Sequence, residues 1–399
     1  MRPDVALIAP YPPAGERHGG HSGVASYTAN LAHALAAGGL HVEVVAPELE
    51  GDPATFADGP IEVRRAFPMG RRALPRAIRA AAERSAGVVH LQFELFLYGG
   101  PSSLVGLLPA LGPARRALGD VPLVTTMHQV VEPSTVDRSY TKLHRVAAPA
   151  VVARGGIAGV QAAIARASAA TIVHEAPFRR VIPSATVIPH GTEEPTPVAR
   201  AAARHALGLD DRFVVLCFGF LAPYKGIELV LEAARFLPDG IQVVVAGGEH
   251  PRMERDGGFG AELRARYGDV ARFTGWVPDH DVANWFAAAD LAVFPYPKPF
   301  ASSGVLALAL AHGTPVLLSP ALARCAGAPS VLDGPMTPGA LSRRIAALAA
   351  DPAGLAAQRR WTSVLAAGRS WSAVAAQHAH VYEEVRDVDR HPGWRLRAG

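Results

Sequence analysis

The chain has 399 residues, 49% of them apolar and 19% charged, with a formal net charge of +4. That length suggests two or three domains, and the composition excludes a disordered chain; so small a net charge gives nucleic-acid binding no support. Two cysteines, Cys217 and Cys325, are too few and too far apart for a disulfide scaffold or a zinc ribbon.

Val5-Ala6-Leu7-Ile8-Ala9 is a short continuous apolar run, as a strand buried on both faces requires. It ends at Pro10, too short for a leader, so the expected location is cytoplasmic. A Pro- and Gly-rich loop follows, closing at Ser22-Gly23. Helical spacing runs from Val24 to Ala37 and stops at Gly38-Gly39. Strands are predicted at 42–46, 87–91, 123–126 and 170–173, and Val187 to Gly191 ends the run. Strand, helix, strand with short links implies a parallel sheet. The polar stretch 192–197 reads as a linker.

The alternation then restarts, with a strand at 213–218, a loop from Gly219 to Lys225 and a helix from Gly226 to Phe236. Further strands are predicted at 241–245, 291–294 and 316–318, and residues 340–386 read as helical throughout. No stretch reaches the about 18 uninterrupted apolar residues of a membrane helix. The richest, 301–318, is broken by His312, Gly313 and Pro315. The expected organisation is two doubly wound α/β halves, 1–195 and 196–370, with a closing helix in 371–399. Ligands of such sheets bind at the carboxyl ends of the strands.

The only lysines are Lys142, Lys225 and Lys298. Lys225 ends a strand-to-helix loop, where backbone N–H groups and a mobile ammonium suit a diphosphate; the bland alternative is a surface lysine. Ser302 or Ser303 would cap a second helix opening at Gly304 and Val305, either an anion site or an ordinary capped core helix. Trp276, Val277 and Pro278, in the stretch from Arg272, would form a shelf for a flat base, unless Trp276 simply packs. Asp279-His280-Asp281 has the look of a metal pair, but a helix N-terminus, with Asp281 before a run from Val282 to Ala289, fits better.

His128 ends a strand, with its imidazole expected to point into a cleft and accept, donate or relay a proton, or else to play a structural role. His90, Gln92 and Glu94 alternate onto one face, where they would bind sugar hydroxyls or satisfy each other. His18 and His21 lack a supporting carboxylate or thiol cluster for a metal. There is no nucleophile elbow, Walker loop or dinucleotide fingerprint, which argues against hydrolase, kinase and dehydrogenase chemistry. Arginines at 64, 65, 71, 72, 76, 79 and 84 crowd one stretch, with Arg72, Arg76 and Arg79 on one helical face. Such a face is either simply solvated or touches anionic lipid headgroups at the inner membrane face.

Taken in order, these segments resemble the GT-B glycosyltransferases, and within them the large retaining family that uses nucleotide sugars (glycosyl transferases group 1 type). The matching pieces are Ser22-Gly23, His90 to Glu94, Thr126-Met127-His128, Ile188 to Gly191, Phe218 to Gly226, Gly275 to Pro278, Ala289-Asp290 and His312 to Val316. Trp371 to Val385 is similar to the family's closing helix. The resemblance implies two Rossmann-like domains facing across a cleft and a metal-independent transfer from a UDP- or GDP-linked sugar to a hydroxyl acceptor, with no cofactor and no protein nucleophile.

It also implies roles for residues. Lys225 and His128 would be catalytic, with His128 orienting the sugar. Ser22, Gly23, Gly219, Gly248, Trp276 to Pro278 and Ser302 to Val305 would hold the nucleotide diphosphate. His21, Gln92 and Glu94 would face the acceptor. Three positions depart from the family pattern, with Phe220 in place of an Arg and Phe300 and Leu308 in place of two Glu. They motivate a second reading, a non-catalytic relative that assists a partner enzyme.

Overall fold

The apolar runs become strands buried along their length, in two sheets. The computed structural model describes residues 2–16, 22–194, 197–249, 258–297, 302–328 and 336–390. The chain divides into two compact units, one of residues 1–191, 300–302 and 371–399 and the other of 192–299 and 303–370.

The first unit holds β1 (Val5–Ile8), β2 (Val42–Pro47), β3 (Thr55–Asp58), β4 (Ile61–Phe67), β5 (Val88–Phe93), β6 (Leu123–Met127), β7 (Ala170–Val173) and β8 (Thr186–Val187). Their order is β3-β4-β2-β1-β5-β6-β7-β8, parallel except for the antiparallel pair β3 and β4. The order reverses between β1 and β5, which opens a crevice at the carboxyl ends there. Helix Gly23–Ala37 starts from Ser22, whose hydroxyl accepts the Val24 N–H at 3.2 Å. Helix Trp371–Arg390 packs on it, and Val374, Val381 and Tyr382 join Leu31, Leu35 and Val44 in one core.

The β3–β4 hairpin was not expected from the sequence, and it changes the reading of the arginine-rich stretch. Arg64 and Arg65 lie in β4. Arg64 pairs with Glu43 at 3.0 Å, and Arg84 with Glu62 at 2.6 Å. Arg65 is buried, pairs with Asp52 at 2.7 Å, and donates to the carbonyls of Tyr11 (3.1 Å) and Pro12 (2.8 Å). Asp52 in turn accepts the Ala14 N–H at 2.9 Å. Arg71, Arg72, Arg76 and Arg79 are exposed, the last two on helix Ala73–Ala82.

The second unit holds β9 (Phe213–Phe218), β10 (Ile241–Ala246), β11 (Ala271–Gly275), β12 (Leu291–Phe294) and β13 (Val316–Leu318). Their order is β11-β10-β9-β12-β13, all parallel. This sheet reverses between β9 and β12, so the loops after those two strands border its crevice. Val230, Leu231, Leu341 and Ile345 cover one face, and Trp285, Phe286, Leu306 and Leu310 the other. The helical stretch expected over 340–386 is three helices, Pro338–Ala350, Pro352–Ala366 and Trp371–Arg390. Pro352 opens the second of them, and Gly368 (φ +75°) turns the chain before the third. Among the described residues no helix is long and apolar enough to cross a membrane.

Candidate functional site

In the second unit the loop after β9 is shaped by its glycines. Gly219 has φ +96°, and a Cβ on Gly247 would collide with the Gly219 carbonyl. Pro223–Lys225 forms a 3-10 turn that ends at Gly226 (φ +67°), a left-handed residue pressed against the Pro295 carbonyl. Helix Ile227–Ala234 then begins with no side-chain cap; its Leu229 N–H turns back to the Gly226 carbonyl at 3.0 Å, and no side chain covers the N–H groups before it.

Lys225 is 6% exposed. A Cβ on Gly219 would lie 3.0 Å from Lys225 Nζ and 2.8 Å from Val305 Cγ2, so the loop after β9 meets the first turn of helix Gly304–Ala311. Among the described residues no carboxylate pairs with the ammonium. Burial lowers its pKa to about 8, and burial likewise pushes the nearby Cys217 thiol up to about 12. A buried ammonium without a counter-ion is costly, and an anionic ligand removes that cost.

The second crevice loop brings Ser303. Its hydroxyl caps helix Gly304–Ala311 by accepting the Leu306 N–H at 3.1 Å and lies 3.3 Å from the Tyr296 hydroxyl. Ser302 is turned elsewhere and donates to Glu175 at 3.1 Å. Arg272 to Gly275, expected in the base shelf, belong to β11; Trp276 to Pro278 follow as a loop. Trp276 is 66% exposed, its ring 5.5 Å from that of Phe220, and Gly248 fits under its backbone. Val277 is buried, and Pro278 precedes helix Asp279–Ala288, which puts Asp279 and Asp281 in its first turn. Leu308 packs at the edge of the core. His18, His21 and Phe300 lie outside the described residues. No group of three or more His, Cys, Asp or Glu among the described residues could hold a metal ion.

In the first unit His128 follows β6 and is 7% exposed. Its imidazole does not offer a free nitrogen: Nε2 lies 2.8 Å from Gln92 Oε1, and Nδ1 lies 3.2 Å from His174 Nε2. Gln92 is fully buried and also approaches His90 at 3.2 Å, so its amide serves the interior rather than an acceptor. His90 reaches Thr126 Oγ1 (2.8 Å) and the Tyr382 hydroxyl (2.6 Å). Glu94 follows β5 and is partly exposed. Burial first, and neighbouring histidines second, hold His90 and His128 well below the usual imidazole range; burial takes His378 to about 4. Tyr27, in helix Gly23–Ala37, packs edge-on to His128 at 4.6 Å and to Trp371 at 5.0 Å.

His174, Tyr27 and Tyr382 were not picked out from the sequence. The signal for His174 is register. Met127 pairs with Val173, and Phe93 with Met127. The residues one step beyond these pairs, His128 and His174, therefore end side by side.

Two doubly wound sheets, parallel but for the β3–β4 edge and each reversing strand order at one point, are the elements of the GT-B architecture. Sucrose-phosphate synthase from Thermosynechococcus elongatus superposes with a TM-score of 0.73 over 96% of this chain and 99% of its own, at 23% identity. Anabaena HepE in complex with UDP and glucose gives 0.66 over 96% and 100%, at 18% identity. The Glycosyl transferases group 1 model matches residues 212–357, and the Glycosyltransferase Family 4 model matches residues 21–193. The chain belongs to the group 1 glycosyltransferases.

Among curated proteins, D-inositol 3-phosphate glycosyltransferase of Thermobispora bispora is 34% identical over 204 residues, 47% of each chain. A GDP-mannose-dependent phosphatidylinositol monomannoside mannosyltransferase of Mycolicibacterium smegmatis is 31% identical over 196 residues, 45% of this chain and 48% of its own. The chain thus spans about half the length of the curated relatives it matches.

Proposed function

We propose that the protein is a retaining, metal-independent glycosyltransferase that moves a sugar from a UDP- or GDP-linked donor to a hydroxyl acceptor. The observation that carries this reading is Lys225, a buried ammonium beside Gly219 and Val305 with no carboxylate partner among the described residues. The donor diphosphate would be its counter-ion, with the first amides of helices Ile227–Ala234 and Gly304–Ala311 as further donors. As the bond from the anomeric carbon to the phosphate oxygen breaks, negative charge grows on that phosphate, where these preorganised groups stabilise it most. The acceptor hydroxyl bonds to the anomeric carbon on the same face and gives its proton to the leaving phosphate. No protein nucleophile is required.

The test is a thermal-shift panel of nucleoside diphosphates and sugars, followed by NMR of the product's anomeric proton. Stabilisation by UDP or GDP and a retained anomeric configuration are expected, unchanged by a chelator. If no nucleotide stabilises the chain, the proposal fails in favour of a non-catalytic assistant to another enzyme. Phe220, which packs tilted against Trp276 in place of the family's Arg, favours that second reading.

For location, a cytoplasmic protein with peripheral membrane contact fits the exposed Arg72, Arg76 and Arg79, which have no carboxylate partner among the described residues. Co-sedimentation with anionic vesicles is expected and should be lost on reversing the three charges. Equal binding to neutral vesicles would refute it.

A further inference from the structure

The proton count of the buried polar chain behind His128 has only one neutral solution. His174 Nδ1 lies 3.0 Å from the Ile188 carbonyl, which can only accept, so that nitrogen carries a proton. A neutral His174 then has a bare Nε2, and the facing His128 Nδ1, at 3.2 Å, must donate to it. That leaves His128 Nε2 bare and in need of a donor. With Gln92 Oε1 toward it at 2.8 Å, one imidazole of the pair must be a cation. Turning the amide over replaces the oxygen with NH2 without changing shape, and the chain becomes neutral.

The far end agrees. With the Tyr382 hydroxyl as donor to His90 Nδ1 (2.6 Å) and His90 Nε2 as donor to Thr126 Oγ1 (2.8 Å), this end is neutral as well. The turned amide carbonyl then faces His90. Burial decides between the two solutions. The groups that act on His128 are His174, His190, His90 and His378, with no carboxylate among them to hold a cation on that ring.

We propose that Gln92 and His174 are positioning residues that lock His128 as a single neutral tautomer, protonated on Nδ1 and accepting from the Gln92 amide on Nε2. The locked ring fixes two things at once. It holds the chain just beyond β6, and it supports Tyr27, whose helix begins at Ser22-Gly23. The service of that locked ring to sugar transfer rests on the function proposed above; the tautomer itself does not.

The tautomer is read directly on the full chain labelled with 15N-histidine, using long-range 15N–1H correlations without substrate. The His128 signal is assigned by its loss in His128→Phe. The Nδ1–H form is expected in the wild type at pH 6.5, where a free imidazole is half protonated. An imidazolium or the Nε2–H form overturns the proposal. In Gln92→Glu the carboxylate should force a second proton onto His128; an unchanged neutral ring there overturns the role of Gln92. His174→Gln keeps an acceptor for His128 Nδ1–H, and His174→Phe does not. With a working donor, His174→Phe should lose about 10- to 100-fold in kcat with little change in KM, and His174→Gln should recover most of it. Equal losses in both variants overturn the positioning role. An enzyme inactive with every donor but showing the Nδ1–H tautomer would sink the proposed activity and leave the lock standing.

Discussion

Each unit buries a titratable group at the carboxyl ends of its strands, and the two are treated oppositely. In the first, both ring nitrogens of His128 are met by Gln92 and His174. In the second, Lys225 is buried just as deeply, with its ammonium unpaired among the described residues. The satisfied group adds order to its surroundings. The unsatisfied one costs stability that only a ligand can return. A buried polar group is thus informative chiefly through what it lacks.

The largest expected effect breaks the open side. Lys225→Met should lower kcat/KM by about 100- to 1000-fold, as for one lost donor to a developing anion. The same variant should be more stable than the wild type at pH 7, by about 2–3 kcal/mol in chemical denaturation, because it removes a lysine whose folded pKa is about 8 instead of the ordinary 10.5. Loss of both activity and stability would mean that Lys225 is structural. Second, the unfolded chain binds more protons between about pH 8 and 10.5, so the wild type should gain stability with rising pH over that window. Activity should move the other way: kcat/KM should fall about tenfold per pH unit above about 8, as Lys225 loses its charge. A flat alkaline profile would contradict the assignment.

The closed side gives a smaller, purely structural effect. A Cβ on Gly191 would lie 2.5 Å from the Trp371 ring, so Gly191→Ala should cost about 1–3 kcal/mol, read by urea titration. The smallest effect sharpens the comparison at a helix tip. Ser303→Ala removes the cap on Leu306 and should cost about 1 kcal/mol of stability. If the neighbouring amides also bind phosphate, nucleoside diphosphate should return part of that loss.

Much of this was legible in the residues. The continuous apolar runs marked the parallel strands, and the scarcity of lysine drew attention to Lys225. The Gly219 to Gly226 loop was readable because its glycines and proline sit at a strand end. The hairpin Thr55–Asp58 and Ile61–Phe67 was not, because its first strand is a short edge with no buried face. The arginine cluster was legible only in part: Glu43 and Asp52, which pair with Arg64 and Arg65, arrive from a neighbouring strand and from the loop before the hairpin. Gln92 and His128 were visible as polar residues at strand ends. Their mutual engagement depends on strand order, which alternation alone does not give.

The Arg65 clamp gives the peripheral hairpin more than a covering role. Through one guanidinium it anchors the segment from Tyr11 to Ala14, just upstream of the first helix. Sequence drift at that sheet border can therefore shift the segment leading to the helix without altering the helix itself. For anyone reshaping the loop before the first helix, the hairpin is a remote handle.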